Sequence, residues 1–179
     1  MTFNCIAIGG VPATGKSNLI NTLYNNINKN NNFKSVLIRG HHIKEYNLLI
    51  VGIYNTFKKF KGTDLLSMSA HNDFKKLIDL NKYNIIFEGD RLFSNSILEY
   101  VKNTYNLTTI VLTADENILK DRHKDRNDSQ TDKFLKGRKT KIENIINNKN
   151  IKPLVLKNNN IEDMSSIYDM IVARIKKFK

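Results

Sequence analysis

Gly10-Val11-Pro12-Ala13-Thr14-Gly15-Lys16-Ser17 is the stretch of the sequence that decides the fold. It matches the pattern G-x-x-x-x-G-K-[S/T] at every fixed position. An apolar run precedes it at residues 3–8, and apolar residues at helical spacing follow it over residues 16–28. A strand, a glycine-rich loop and a helix in this order are typical of a loop that wraps a polyphosphate. The sequence therefore predicts a nucleoside triphosphate site between the first strand and the first helix.

The residue types of this phosphate loop each have a chemical reason. Glycines let the backbone curl so that its N–H groups point inward at phosphate oxygens, and the helix N-terminus adds partial positive charge. We expect Lys16 to reach the β- and γ-phosphates and the Ser17 hydroxyl to bind Mg²⁺, so ATP or another nucleoside triphosphate and Mg²⁺ are the expected cofactors. The residues expected to bind the nucleotide here are Gly10, Pro12, Ala13, Thr14, Gly15, Lys16 and Ser17.

Apolar patterning along the rest of the chain alternates between the strand and helix types. The predicted strands cover residues 3–8, 33–38, 48–54, 84–87, 107–112 and 154–156. The predicted helices cover residues 16–28, 70–82, 92–105, 116–126, 133–147 and 161–177. This order predicts a three-layer α/β/α sandwich with a mainly parallel central sheet. No linker rich in proline or glycine divides the chain, so we expect a single domain over residues 1–179.

Cysteine usage and hydropathy bear on the compartment. The chain has 179 residues and one cysteine, Cys5, which lies in the first apolar run and is expected to be buried and inert. Without a second cysteine no intrachain disulfide can form, which fits a reducing interior. No apolar run is long enough to span a bilayer, and the start of the sequence lacks the features of a signal peptide. We expect a soluble cytoplasmic protein without a membrane partner.

The net charge of +12 favours polyanionic or phosphorylated partners. A second interpretation is compositional, because the 29 basic residues comprise 23 Lys and only 6 Arg, and the chain carries 26 Asn. A bias toward Lys, Asn and Ile often reflects a coding sequence rich in A and T. The charge therefore leaves open both a nucleic-acid surface and compositional drift.

The predicted strand at residues 84–87 runs directly into Glu88-Gly89-Asp90-Arg91. Ligands bind at the carboxyl ends of strands in α/β sheets, so this is the natural second half of the site. Glu88 could hold the Mg²⁺ shell or accept a proton from an acceptor hydroxyl. Asp90 and Arg91 are expected to begin the next helix. The alternative for Asp90 is a helix cap or a turn. Arg91 could bind an acceptor or triphosphate oxygen, and its alternative is an ordinary ion pair.

Three of the six arginines fall within 17 residues: Arg122, Arg126 and Arg138. Arg122 and Arg126 share one helix face, where like charges repel unless an anion lies between them. We expect a helical lid over about residues 116–141 that folds onto the triphosphate and excludes water. The alternative is a solvated basic helix balanced by neighbouring aspartates. Two further donors in or beside this lid are Gln130 and Lys141.

The long connection Asn55–Ser69, before the second predicted helix, is expected to face the acceptor. Asp64 within it could be the general base. His41 and His42 are expected at the functional edge of the sheet, as acceptor contacts or plain loop, since no third metal-binding residue lies at ligand spacing. Aromatic residues that could stack on a base or pack in the core are Tyr46, Tyr54, Phe57 and Phe60, with the core favoured for Tyr54.

With these residues located, the chain resembles small P-loop kinases that act on nucleosides, nucleotides and related molecules. A narrower resemblance lies in Gly62-Thr63-Asp64-Leu65-Leu66-Ser67-Met68, in Phe87-Glu88-Gly89-Asp90-Arg91-Leu92-Phe93, and in Phe134-Leu135-Lys136-Gly137-Arg138-Lys139-Thr140-Lys141 with Gln130 and Ile53-Tyr54. These stretches look like a group of bacteriophage kinases that phosphorylate 5-hydroxymethyluracil in DNA. The resemblance implies a kinase for a hydroxymethylated pyrimidine, with Asp64, Glu88, Asp90 and Arg91 near the transferred group. If the chain is viral, the expected compartment is the host cytoplasm. It departs at Leu65, where a basic residue is expected.

Three functions compete on these grounds. The first is a kinase for a modified base in DNA, the second a kinase for a free nucleoside or nucleoside monophosphate, and the third a nucleotide switch without an acceptor. The switch is disfavoured because the chain lacks a guanine-reading Asn-Lys-x-Asp after a strand, and nothing favours one oligomeric state. The residues expected to act in transfer are Lys16, Asp64, Glu88, Asp90, Arg91, Arg122 and Arg126, with Ser17 and Glu88 at the metal.

Overall fold

Strands and helices alternate along the computed structural model, which describes residues 2–27, 31–35, 37–54, 56, 61–125 and 130–178. The strands are β1 Asn4–Gly9, β2 Asn31–Lys34, β3 Arg39–Ile43, β4 Leu48–Val51, β5 Asn84–Glu88, β6 Asn106–Thr113 and β7 Leu154–Lys157. The helices are α1 Lys16–Asn26, α2 Ala70–Leu80, α3 Asn95–Lys102, α4 Glu116–Asp125, α5 Asp132–Ile146 and α6 Ile161–Ile175. Short 3₁₀ helices cover Lys44–Tyr46 and Thr63–Leu65.

The strands form one sheet in the order β2-β3-β4-β5-β1-β6-β7. Pairs from β4 across to β7 are parallel, whereas β3 is antiparallel to both β2 and β4. The carboxyl ends of five strands, including β1 and β5, therefore open onto one edge of the sheet. That edge is where α/β proteins bind their ligands.

Alternate side chains of the central strands pack into two separate hydrophobic cores, one on each face of the sheet. In β1, Cys5 and Ala7 pack on one face with residues of α2, α3 and α5. Ile6 and Ile8 pack on the other face with residues of α1 and α6. Burial of both faces of a mainly parallel sheet by helices is the three-layer α/β/α sandwich predicted from the sequence. Cys5 is a free, buried thiol, as expected, and burial raises its pKa.

The prediction of one strand over residues 33–38 was wrong. A hairpin stands there instead, with a turn closed by the Ser35 N–H donating to the carbonyl of Ile38 at 2.8 Å. The missed strand β3 contains Arg39-Gly40-His41-His42, which is too polar to be recognised by apolar patterning. It forms because β2 and β4 satisfy its backbone on both sides.

The hairpin also moves the two histidines away from the functional edge. Since β3 is antiparallel to β4, Ile43 pairs with Leu48 at the start of β4, at the edge opposite the phosphate loop. His41 is buried against the ring of Tyr24, with ring centroids 4.4 Å apart. His42 Nε2 lies 3.0 Å from Asn47 Oδ1. Their expected position at the end of a strand was wrong, since both lie inside β3. Tyr46 follows β3 at the far edge and packs against the core, which was its alternative to base stacking.

Among the described residues, no helix has both the length and the apolar character needed to cross a membrane.

Candidate active site

The phosphate loop follows β1 and has a backbone conformation that requires glycine at two positions. Gly10 and Gly15 have φ angles of 146° and 92°. A Cβ on Gly10 would lie 2.3 Å from the carbonyl oxygen of Leu112, and one on Gly15 would lie 2.5 Å from Asn158 Nδ2. Ala13 also has a positive φ of 67°, which is uncommon for a residue with a side chain. The loop is thus tightly held from outside as well as curled.

The Lys16 ammonium lies across this loop. It donates to the carbonyls of Gly10 and Val11 at 3.0 and 2.9 Å and lies 3.4 Å from Thr14 Oγ1. The Thr14 hydroxyl donates in turn to the Val11 carbonyl at 2.9 Å. These contacts hold the ammonium over the concave side of the loop, where phosphate oxygens could replace the carbonyls as its acceptors.

Glu88, the last residue of β5, reaches the start of α1. Ser17 Oγ is 3.3 Å from both carboxylate oxygens, and the buried Tyr54 hydroxyl donates to Oε1 at 3.3 Å. Only 1% of Glu88 is exposed, and this burial raises the pKa of its carboxyl to about 7 against the attraction of Lys16. The Thr63 hydroxyl fixes the Glu88 carbonyl at 2.5 Å. A serine hydroxyl and a carboxylate side by side next to a phosphate loop suit Mg²⁺.

Protein ligands alone do not make a metal site here. Within the described ranges, no group of three or more His, Cys, Asp or Glu side chains could hold a metal ion. Mg²⁺ commonly takes one or two protein oxygens and completes its shell with phosphate oxygens and water. Ser17 and Glu88 therefore fit a cation that arrives with a nucleotide.

Asp64 lies in the 3₁₀ helix Thr63–Leu65, beside the end of β5. Its carboxyl has a raised pKa, chiefly because it is buried, although the charge of Lys16 opposes the shift. The Arg91 guanidinium donates to the Asp64 carbonyl at 3.4 Å, while Arg91 Nε is buried without a partner among the described residues. The structure thus brings Asp64 and Arg91 to the same edge as Lys16 and Glu88.

Asp90 and Arg91 do not begin a helix, contrary to the prediction. The next helix, α3, starts at Asn95, and the Ser94 side chain caps it by accepting from the Ile97 N–H. Asp90 instead forms ion pairs with α5, to Arg138 at 2.6 Å and to Lys141 at 2.8 Å. Of its two alternatives, the helix cap is wrong because Ser94 caps α3, whereas the turn is correct because Asp90 lies in a turn after β5. The carboxylate ties α5 to the end of β5.

Arg122 on α4 points to backbone carbonyls. Its guanidinium donates to the carbonyls of Asn158 at 2.9 Å, Asn159 at 3.2 Å and Ala13 at 3.4 Å. It is not among the side chains that line the cleft described below. Arg122 therefore does not face the cleft in which the phosphates are expected to bind. Arg126 lies outside the described residues, so the prediction for it stands as made.

The lid expected over residues 116–141 comprises two helices with different roles. No α4 side chain is buried, whereas Ile142 and Ile145 of α5 belong to the core. The first half of α5 forms a wall of the site, with the Arg138 guanidinium 4.5 Å from the centroid of the Phe134 ring. A cap that closes over the nucleotide remains a prediction.

A cleft of about 600 Å³ joins these elements. Its rim carries two exposed apolar side chains, Met68 at 77% and Phe134 at 39% exposure. Gln130 also faces it, and Gln130 Oε1 is buried without a partner among the described residues. The lining residues are Gly10, Pro12, Ala13, Lys16, Ser17, Asn18, Asn21, Lys61, Asp64, Met68, Asp90, Arg91, Gln130, Phe134, Arg138 and Ile142.

The roles of three residues at the site were missed from the sequence. Tyr54 is buried, so its core-packing alternative is correct, but its hydroxyl also contacts Glu88. Thr63 and Asn158 were not singled out, and both are buried polar residues that fix backbone beside the cleft. A polar residue directly after a strand was the available signal for Asn158. Phe57 and Phe60 lie outside the described residues.

Comparisons with known proteins show the fold of the chain. No protein-family model matches the chain, and no curated protein matches it. A gluconokinase from Sinorhizobium meliloti 1021 is similar at a TM-score of 0.47 and 9% identity, over 96% of this chain and 97% of that one. An uncharacterised protein from Eubacterium ventriosum ATCC 27560 shares the fold at a TM-score of 0.51 and 15% identity, over 97% and 98% of the chains.

Proposed function

We propose that this chain is a Mg²⁺- and ATP-dependent phosphotransferase that passes the γ-phosphate to a hydroxyl group. The observation that carries the proposal is the position of Ser17 Oγ, 3.3 Å from both oxygens of the buried Glu88 carboxylate, next to the Lys16 loop. This arrangement joins a polyphosphate cradle to a cation site at one strand edge. An open cleft leads away from it toward Asp64 and α5.

The phosphate end of the cleft would act by neutralising charge. Lys16 exchanges the carbonyls of Gly10 and Val11 for phosphate oxygens, and loop N–H groups bind the remaining oxygens. Ser17 and Glu88 would hold Mg²⁺, which would offset the charge that builds up on the phosphates. Glu88 serves as its ligand in the carboxylate form, so a carboxyl with a pKa of about 7 couples cation binding to pH.

Asp64 is the proposed general base. Its raised pKa makes it a better proton acceptor than an exposed aspartate, and it lines the same cleft as Lys16. In the transfer, the acceptor oxygen forms a bond to the γ-phosphorus while the bond from that phosphorus to the β–γ bridging oxygen breaks. The acceptor proton passes to the Asp64 carboxylate, and ADP leaves.

The acceptor we propose is the hydroxymethyl group of 5-hydroxymethyluracil in DNA. Support comes from the resemblance to bacteriophage kinases and from the net charge of +12, which favours binding to a phosphate backbone. Met68 and Phe134 expose apolar surface that suits a flipped base. Arg91 Nε and Gln130 Oε1, buried without partners among the described residues, suit a ligand with both acceptor and donor atoms.

A free nucleoside or nucleoside monophosphate is the second candidate acceptor. The volume of the cleft, about 600 Å³, favours it, because that is the size of a small-molecule site. Arg91 and Arg138 in the lining could bind the phosphate of a mononucleotide.

Incubation with radiolabelled ATP tests both levels of the proposal. One arm contains duplex and single-stranded DNA with 5-hydroxymethyluracil, and matched DNA with thymine serves as its control. The other arm contains free pyrimidine nucleosides and their monophosphates. Label only in the hydroxymethylated DNA supports the DNA acceptor, and label only in the small molecules rejects it. Release of free phosphate with no labelled acceptor would reject the phosphotransferase and indicate a nucleotide hydrolase.

A further inference from the structure

The outer side of the phosphate loop poses a hydrogen-bonding problem. When loop N–H groups turn inward toward phosphates, the carbonyls of the same peptides turn outward into the protein. Ala13 and Thr14 are both buried. A buried carbonyl without a donor is costly, and the left-handed φ of 67° at Ala13 adds strain that the surroundings must offset. The loop therefore needs donors on its outer side.

Asn158 supplies one of these donors. It follows β7 and is 0% exposed, and its Nδ2 donates to the Thr14 carbonyl at 2.8 Å. Its backbone N–H donates to the Thr113 carbonyl at 2.8 Å, which fixes it to the end of β6. The same amide closes the space beside Gly15, where a Cβ would lie 2.5 Å from Nδ2. Asn158 is therefore in contact with the loop through both a hydrogen bond and packing.

Arg122 supplies the other donor and holds Asn158 in place. Its Nη1 donates to the Ala13 carbonyl at 3.4 Å and to the Asn158 carbonyl at 2.9 Å, and its Nη2 donates to the Asn159 carbonyl at 3.2 Å. The Asn159 side chain exchanges two hydrogen bonds with Asp115, just before α4. One guanidinium thus joins α4, the turn after β7 and the phosphate loop.

We infer that Arg122 and Asn158 are positioning residues, an outer brace that holds the phosphate loop in its anion-binding shape. The inference rests on the proposed nucleotide binding. It replaces the expected role of Arg122, because a guanidinium that donates to three carbonyls is not turned toward phosphate. The brace acts on loop shape before the nucleotide arrives, so it affects every ligand that uses the loop N–H groups.

The two roles of Arg122 differ in a measurable way. Loop positioning affects ADP and ATP alike, since both place phosphates in the loop. Contact with the transferred phosphoryl group affects ATP far more than ADP, and it lowers kcat rather than nucleotide affinity. Titration calorimetry with Mg·ADP and Mg·ATP separates the roles without any acceptor being present.

The first experiment compares Arg122→Ala, Arg122→Lys and the wild type. Loss of the guanidinium leaves buried carbonyls without donors, so we expect the Kd of both nucleotides to rise about tenfold in Arg122→Ala. Arg122→Lys keeps one donor and should give an intermediate Kd. At saturating nucleotide, kcat should stay within about threefold of wild type. Lys120→Ala, which removes the same charge from an exposed position on α4, is the matched control and should leave both Kd values unchanged.

Two results would overturn the inference. A kcat lower by about a hundredfold or more in Arg122→Ala, with a nearly unchanged Kd for ADP, would return Arg122 to phosphoryl contact. A lower melting temperature with both Kd values unchanged would leave it a structural role only. If the wild type itself bound neither nucleotide, the proposed function would fail and the brace with it, which is distinguishable from variants that bind as the wild type does.

Asn158→Ala provides an independent check from the other side of the brace. Loss of the Nδ2 donor should also weaken Mg·ADP and Mg·ATP about tenfold. The double variant with Arg122→Ala should lose less than the product of the two single effects, because both act on one loop conformation. Additive losses would show two unrelated defects and contradict a shared brace. Should Asn158→Ala fail to fold, the Arg122 series still decides.

Discussion

The two ends of the cleft are built in different ways. At the phosphate end, the polar side chains of Glu88 and Asn158 are buried. Glu88 accepts a hydrogen bond from the Ser17 hydroxyl, and Asn158 donates one to the Thr14 carbonyl. At the acceptor end, Met68 and Phe134 are exposed, and α5 is held to the strand end by ion pairs to Asp90. Buried hydrogen bonds resist rearrangement, whereas partly exposed ion pairs contribute less to stability. The difference suggests a fixed nucleotide end and an adaptable acceptor end.

Lys16→Ala is expected to give the largest effect on transfer. A small effect would contradict the assignment of the phosphate end of the cleft. Removing the ammonium that lies over the loop should lower kcat/KM about a thousandfold or more, because the charge of the transferred group loses its main partner. The measurement is steady-state transfer, with circular dichroism to show that the fold survives. Rates near those of the wild type would refute the phosphate end as the reaction centre.

Asp64→Asn tests whether the chemistry at the acceptor end depends on one carboxylate. The amide keeps the size of the side chain but cannot take a proton, so kcat should fall about a hundredfold. The Kd of Mg·ATP should hardly change, since Asp64 lies outside the loop and the Ser17–Glu88 pair. An unchanged kcat would exclude Asp64 as the base.

The same contrast explains what could be predicted from the sequence. The phosphate end depends on local pattern: an apolar strand, a glycine loop and a helix are consecutive, and Glu88 directly follows the apolar run at residues 84–87. Such short-range signals predict both the elements and their chemistry. The α/β/α sandwich follows from the same alternation of patterns, and the structure confirms it.

The misses have a common physical cause, since they depend on partners distant in sequence. Asp90 was expected to begin a helix, but its carboxylate pairs with Arg138 and Lys141 on α5. Arg122 was expected at phosphate but binds backbone carbonyls, which carry no sequence signature. The strand β3 is polar and is stabilised by both neighbouring strands. Residue patterns alone do not predict such pairings.

Glu88 makes the free energy of unfolding depend on pH. Its folded-state pKa of about 7 exceeds the ordinary value of 4.5, so the folded nucleotide-free protein holds this proton more tightly than the unfolded chain does. Its contribution to the free energy of unfolding is complete below about pH 4.5 and is lost as pH rises through about 7. The loss amounts to about 3 kcal/mol.

Chemical denaturation of the wild type and of Glu88→Gln across this pH range measures the effect. The difference in unfolding free energy between the two should change by about that amount, with the variant gaining relative stability as pH rises. Affinity of the wild type for Mg·ATP should show the opposite trend and increase through pH 7, because the cation competes with the proton. A pH-independent difference between the two proteins would place the Glu88 pKa near its ordinary value.

Asp90→Asn should produce the smallest effect and sharpen the comparison most. Its ion pairs to Arg138 and Lys141 are partly exposed, so losing them should cost no more than about 1 kcal/mol of stability. The wall formed by α5 would then be less well placed, and the acceptor KM should rise about threefold to fivefold while the Kd of Mg·ATP stays constant. Lys76→Ala, which removes the exposed lysine of the pair to Asp73 on α2, is the control and should leave both constants unchanged. If Asp90→Asn weakened nucleotide binding instead, the two ends of the cleft would be coupled through this carboxylate, and the acceptor end would be as rigid as the loop it faces.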